Sequence, residues 1–173
     1  MMDAKLAFLF GRRSIRVFQS GEISEETVQS LLAAAMAAPS ACAKDPWRFV
    51  VIRQSTMLRK LTEVLPNGQM LATAAVGLFV CGDLEAAHDR QLSYLLQDCS
   101  AAIENLLLAA HALGLGAVWL GVHPRENRIE QVCQLLGLPA HIIPVAGIAL
   151  GHPGEVKEPR TRFNPAYVRY EKW

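Results

Sequence analysis

Several marks of large protein classes are missing from this 173-residue chain. Its four cysteines, Cys42, Cys81, Cys99 and Cys133, lie far apart and form no C-x-x-C pair. That argues against a disulfide framework or a cysteine zinc site and leaves the thiols structural. The five histidines, at 88, 111, 123, 141 and 152, fall at no metal-ligand spacing, so no metal is expected. There is no excess of one charge: 17 basic residues face 16 acidic ones, for a formal net charge of +1. A general polyanion binder carries a basic excess, so nucleic acid is not an expected partner. Also absent are G-x-S-x-G, G-x-x-x-x-G-K-[ST] and G-x-G-x-x-G. Their absence weighs against a serine-hydrolase elbow, a P-loop and a Rossmann dinucleotide site. No apolar run is long enough to span a membrane, because Gln97, Asp98, Glu104 and Asn105 interrupt the longest one. The opening MMDAKLAFLFGRR has too short an apolar part for a signal peptide and is followed by arginines. The expectation is a cytoplasmic chain.

What is present fits one domain with a sizeable core: hydrophobic residues make up 51%. Asp3 can cap a short helix over 4–10 that Gly11 stops. Ser24, followed by Glu25 and Glu26, reads as the start of a second helix, ended by Pro39. WRFVVIR (47–53) reads as a strand, 56–65 as a helix, and AVGLFVCGD (75–83) as a strand buried on both faces. The longest helical segment is 90–113, stopped by Gly114 and apolar around most of its circumference, so it should be central. GAVWLGV follows as a strand, then a helix from Pro124 to Leu136 with Gly137 behind it. IIPVAGIALG (142–151) is the last core strand, with Pro144 making it start late or run irregularly. The tail, 152–173, is proline-rich and charged but carries Phe163, Tyr167, Tyr170 and Trp173, which points to docking onto a partner subunit. Strands alternating with more numerous helices indicate a layered fold of α and β elements.

Two arginine clusters stand out in this neutral background. If 12–17 is extended, Arg12, Ser14 and Arg16 share one face, while Ile15 and Val17 turn to the core. Two guanidinium groups flanking a hydroxyl suit a phosphate or a polarised heterocycle. Spacing alone leaves a second reading equally open, in which cations simply follow a helix C-terminus. KEPRTRF in the tail repeats the pattern with Arg160 and Arg162, and the two pairs can converge on one dianion. The loop PSACAKDPW (39–47) offers Ser40, Lys44 and Asp45, although a plain connection is the simpler reading. GAVWLG (116–121) ends at Gly121, where a backbone N–H can approach a planar ligand, or where the strand merely turns. Asp98 and Asn105, seven apart on one helix face, suit a buried network or interface better than catalysis.

In combination and in order, RRSIRVF (12–18), APSACAKDPWRFVVI (38–52), QDCSAAIENLLLAAHALGLG (97–116), AVWLGV (117–122) and GHPGEVKEPRTRF (151–163) resemble the FMN-dependent nitroreductase family over nearly the whole chain. The resemblance implies an α+β fold: a three-layer α/β/α sandwich, helix-rich with a small mixed sheet, in an interlocked homodimer with exchanged C-terminal extensions. It implies one domain over 1–173, FMN at the subunit interface, and NADH or NADPH as co-substrate. Nitroaromatics, quinones or similar small molecules would be the electron acceptors. Position by position it places Arg12, Arg13, Ser14 and Arg16 in the N-terminal FMN motif and Arg160 and Arg162 at the phosphate. Pro39, Ser40 and Ala41 become the loop that the other subunit lays on the flavin. Gln69 becomes a polar flavin contact, and Leu120 and Gly121 the strand end whose N–H faces flavin N5. No side-chain acid or base is implied.

Some positions depart from the family pattern. Ala43 and Asp45 stand where an Asn and a Gln are usual, and Lys44 adds a charge. Leu120 replaces an acidic residue of some members, and the chain is short between residues 83 and 98, where a lid would lie. Two other readings keep the fold: different flavin chemistry such as dehalogenation or flavin breakdown, and a flavin or nucleotide sensor without turnover.

Overall fold

The computed structural model describes residues 4–173, so the capping role expected of Asp3 falls outside it. Helix α1 (Ala4–Gly11) precedes a two-residue strand β1 (Phe18–Gln19) and helix α2 (Glu25–Met36). Strand β2 (Trp47–Ile52), helix α3 (Ser55–Val64) and strand β3 (Val76–Asp83) follow. Helix α4 (Leu92–Ala112), strand β4 (Gly116–Gly121), helix α5 (Glu126–Leu136) and strand β5 (Ile142–Pro153) complete the domain. The starts and stops are chemical. The Ser24 hydroxyl accepts the Thr27 N–H at 3.1 Å, satisfying a donor that the first turn of α2 leaves free. Gly114 and Gly137 close α4 and α5 at φ of 70° and 64°, where a side chain would clash with its own backbone.

Strand β5 is the centre of the sheet. It pairs antiparallel with β3, β4 and β1, while β2 pairs antiparallel with β3. The mixed character expected of the sheet is confined to one parallel bridge, Ser14 to Ala117. Pro144 does make β5 irregular, but it does not delay the strand. Val80 pairs with Ala146 and Cys81 with Pro144, so Val145 is an extra, bulged residue. The Val145 carbonyl accepts the N–H groups of Val122 and His123, which ties the end of β4 to the bulge.

Alternation along the strands sends side chains to two cores. Val76, Leu78 and Val80 of β3, with Ala146, Ile148 and Leu150 of β5, pack against α2 and α4. Phe79 and Ala149, with Val118 and Leu120 of β4, face Leu58 and Leu61 of α3 and Val132 of α5. The result is the expected three-layer sandwich. Helix α4 is its main buried element, with Leu95, Cys99, Ala102, Ile103, Leu106 and Ala110 fully covered. Each large apolar side chain so buried contributes about 1.5–3 kcal/mol before entropy is counted. Burial pushes the thiols of Cys81 and Cys99 up to about 12, and the Cys99 thiol donates to the Cys81 carbonyl at 3.6 Å. No helix among the described residues is long and apolar enough to cross a membrane.

The segment after α1 departs from simple alternation. Ile15 is buried as expected, but Val17 is 52% exposed. The inward residues are Ile15 and Phe18, three apart, and both press on glycine backbone. A Cβ on Gly116 would meet Ile15 at 2.8 Å, and one on Gly151 would meet Phe18 at 2.8 Å. Between them the chain turns to cross from β4 to β5. The Ile15 N–H donates to the Ala117 carbonyl at 3.0 Å, and the Gly154 N–H donates to the Val17 carbonyl at 2.8 Å. Glu155 holds the turn. Its Oε1 accepts the Arg16 N–H at 2.6 Å and the Val17 N–H at 3.3 Å, and pairs with Lys157 at 3.0 Å.

Two outcomes follow from this packing. Gly82→Ala places a Cβ about 2.3 Å from the buried Leu95 side chain, so urea denaturation should show a loss of about 1–3 kcal/mol. The Glu155 carboxyl is held below the usual carboxylate range, first by the Arg16 N–H and then by Lys157. Its contribution to stability is therefore complete above the pKa of an unfolded glutamate and is lost as pH falls through the lowered folded value. Glu155→Gln should flatten that acid limb of the stability profile while changing the limb above neutrality little.

Candidate functional site

The clamp just described brings two distant segments side by side. The Arg160 N–H donates to the Phe10 carbonyl at 3.0 Å, and the Lys157 ammonium donates to the Ser14 carbonyl at 2.8 Å. The Arg13 guanidinium donates to the Glu158 carbonyl. Between the segments lies a basin of about 400 Å³. Arg12, Arg13, Ser14, Arg16, Arg160 and Arg162 all line it, together with Lys157 and Leu9. All six residues expected from the two clusters are thus in one place. Arg12 is paired with Glu104 of α4 at 3.2 Å, and Lys157 with Glu155. The other four guanidinium groups have no carboxylate partner among the described residues. Such a set suits a dianion, since each guanidinium presents a planar fork of donors.

A second cavity of about 490 Å³ shares Arg16 with the basin. This trough is lined by apolar groups of Leu65, Met70, Trp119 and Leu120, the backbone of Gly68 and Gly121, and polar groups of Asn67 and Arg128. Leu120 and Gly121 therefore stand where the sequence placed them, at the end of β4 beside an open space. Gly121 has no unusual φ, and nothing lies within 4 Å of where its Cβ would be. Neither backbone geometry nor packing within the chain requires glycine there. The missing side chain leaves room in the trough itself.

Four expected residues lie elsewhere. Gln69 does not line the trough, because its amide donates to the Thr62 carbonyl of α3 at 3.1 Å; Asn67 and Gly68 occupy that edge instead. Pro39, Ser40 and Ala41 line neither cavity of their own chain. Their loop is nevertheless firmly set. The Ser40 hydroxyl donates to the Asp45 carboxylate and accepts the Asp45 N–H at 3.0 Å. Asp98 of α4, only 5% exposed, accepts the Ala41 N–H at 2.9 Å, and its other oxygen has no partner. Cys42, Ala43 and Asp45 adopt φ of 51°, 51° and 49°, a costly region for non-glycine residues that this network sustains.

Three charged or polar lining residues, Lys157, Arg128 and Asn67, went unrecognised in the sequence. Lys157 opens KEPRTRF, but alternation puts it on the face opposite Arg160 and Arg162, so that spacing concealed it. Arg128 and Asn67 carried no signal, since a charge near a helix start and an asparagine in a Pro-Asn-Gly turn are ordinary in those places.

The model of the nitroreductase family matches residues 9–152. A protein of Archaeoglobus fulgidus, provisionally named NADH dehydrogenase/NAD(P)H nitroreductase, is 44% identical, with 99% of this chain and 100% of that protein covered. The crystal structure of a similarly named protein of Parabacteroides distasonis superposes with a TM-score of 0.92 at 35% identity, covering 99% of this chain and 100% of the other. A provisionally named nitroreductase of Desulfovibrio desulfuricans, solved in complex with FMN, has a TM-score of 0.84 at 34% identity and covers 100% of this chain and 99% of its own. With the family model spanning most of the chain, and with relatives matched end to end, this protein belongs to the nitroreductase family.

Proposed function

We propose that this chain is an FMN-dependent oxidoreductase that moves a hydride from NADH or NADPH to nitroaromatic, quinone or similar acceptors. The observation that carries the reading is the join of a cationic basin to a partly apolar trough through one residue, Arg16. A phosphorylated flavin has that shape and charge: a dianion at one end and a flat, largely apolar ring at the other. In this assignment Arg12, Arg13, Arg160 and Arg162 hold the phosphate, with Ser14 beside the ribityl chain. Arg16 lies at the pyrimidine edge, where a fixed cation favours negative charge on the ring. Leu120 and the Gly121 backbone N–H face N5, and the space left by the missing Gly121 side chain is filled by the ring.

Bound FMN supplies the centre that takes up and gives out the hydride. The residues of the chain bind and orient, which accounts for the lack of any nucleophile and base pairing in the site. The reading also includes a homodimer. The Pro39–Ala41 loop is fixed in shape yet reaches neither cavity of its own chain, as a loop serving the trough of a second copy would. Phe163, Tyr167, Tyr170 and Trp173 are 75–99% exposed, leaving a large apolar area for that second copy to cover.

The purified protein should be yellow, with close to one FMN per chain, and should sediment at the mass of two chains; a colourless protein that takes up no added FMN overturns the proposal. Arg16→Ala should weaken FMN binding about tenfold, as expected for a lost charge-assisted hydrogen bond. Arg13→Ala should cost less, because Arg13 spends a donor on the Glu158 carbonyl. Gly121→Leu should melt within a few degrees of the parent, since a Cβ there has no protein atom within 4 Å, yet fail to retain FMN. Under anaerobic conditions NADH or NADPH should bleach the flavin absorbance. Persistent colour with both nucleotides would instead favour the sensor reading.

A further inference from the structure

Arg128 remains without a task in that assignment. It sits in the first turn of α5, and its guanidinium lines the trough, donating through Nη1 to the Gly121 carbonyl at 2.8 Å. It forms no ion pair among the described residues, and no carboxylate lines the trough. Glu126, the closest acidic residue in sequence, is exposed and lies outside that lining. A guanidinium has five donors, and one carbonyl satisfies one of them. The dianion of the flavin already has the basin, and charge on its ring already has Arg16.

We propose that Arg128 is an anion anchor for the electron acceptor, so that the site selects planar aromatic acceptors bearing a carboxylate or sulfonate. This rests on the flavin reading above. The bond to Gly121 fixes the guanidinium at the strand end that would face the reacting edge of the ring. Its unused donors are then available to an oxyanion on a molecule stacked there. Arg128 is only partly exposed, so such a pairing is less screened than one at a fully open surface, and the planar fork of arginine matches two oxygens at once. A neutral aromatic acceptor would leave those donors facing only solvent.

The test uses redox-inert ligands on the oxidised, FMN-loaded protein, so that turnover is not needed. Benzenesulfonate and benzenesulfonamide have the same shape and differ in charge, and their binding is read from the flavin absorbance. Benzenesulfonate should bind about tenfold more tightly, the scale of one charge-assisted hydrogen bond. That preference should shrink as salt is raised. Arg128→Gln should abolish the preference, and Arg128→Lys should keep most of it. Equal affinity for the two ligands in the parent protein overturns the proposal, and so does a preference that survives in Arg128→Gln. Should Arg128→Gln fail to fold, the parent preference and its salt dependence decide alone. Failure to load FMN refutes the flavin reading itself, whereas FMN loading without the preference refutes only the role of Arg128.

Discussion

Six cations in one basin repel one another, and the chain has to hold them there. Backbone hydrogen bonds supply the hold. Ile15 to Ala117, Gly154 to Val17 and Arg160 to Phe10 fasten the residues after α1 to the residues after β5. Side chains reinforce them by bonding to main-chain atoms: Lys157 to the Ser14 carbonyl, Arg13 to that of Glu158, and Glu155 to the N–H groups of Arg16 and Val17. The cations are therefore placed by groups whose own energetics do not depend on a bound anion. A ligand that brings negative charge relieves repulsion already built in, which is preorganisation in the electrostatic sense.

The sandwich makes this clamp possible by bringing backbones close. Ile15 and Phe18 lie directly over Gly116 and Gly151, so the segment rests on the sheet without an intervening layer of side chains. The bulge at Val145 redirects the end of β4 and brings Leu120 and Gly121 to the rim of the trough. Bulk over both faces of the sheet and bareness at a few glycine positions thus work together. The helices bury the two cores, while the glycine positions admit first a neighbouring segment and then an open cavity.

Much of this was legible in the sequence because it is local. The Ser24 cap, the glycine stops of α4 and α5, and the apolar circumference of α4 each follow from a few neighbouring residues. The convergence of Arg12, Ser14, Arg16, Arg160 and Arg162 is the one long-range feature the sequence suggested, because two like-charged clusters in a neutral chain point to a shared anion. Other features that depend on distant partners were not legible. Strand β1 is two residues long and exists only because β5 runs beside it. Val17 turns outward because the chain crosses between strands at that point. Gln69 turns to Thr62, and Arg128 reaches Gly121, through contacts that no spacing rule encodes. The left-handed backbone at Cys42, Ala43 and Asp45 was hidden too, because none is a glycine and the network that sustains it includes Asp98, far along the chain.

The two buried thiols have a consequence for a protein built to handle electrons. Burial pushes the thiols of Cys81 and Cys99 up to about 12, which keeps both protonated at neutral pH. The thiolate is the form that oxidants attack, so these sulfurs are chemically silent although they sit in the same small domain as the proposed redox centre. Their packing also excludes the solvent that peroxide would need to reach them. The same burial that packs the core thus keeps its two thiols in the form least open to oxidation.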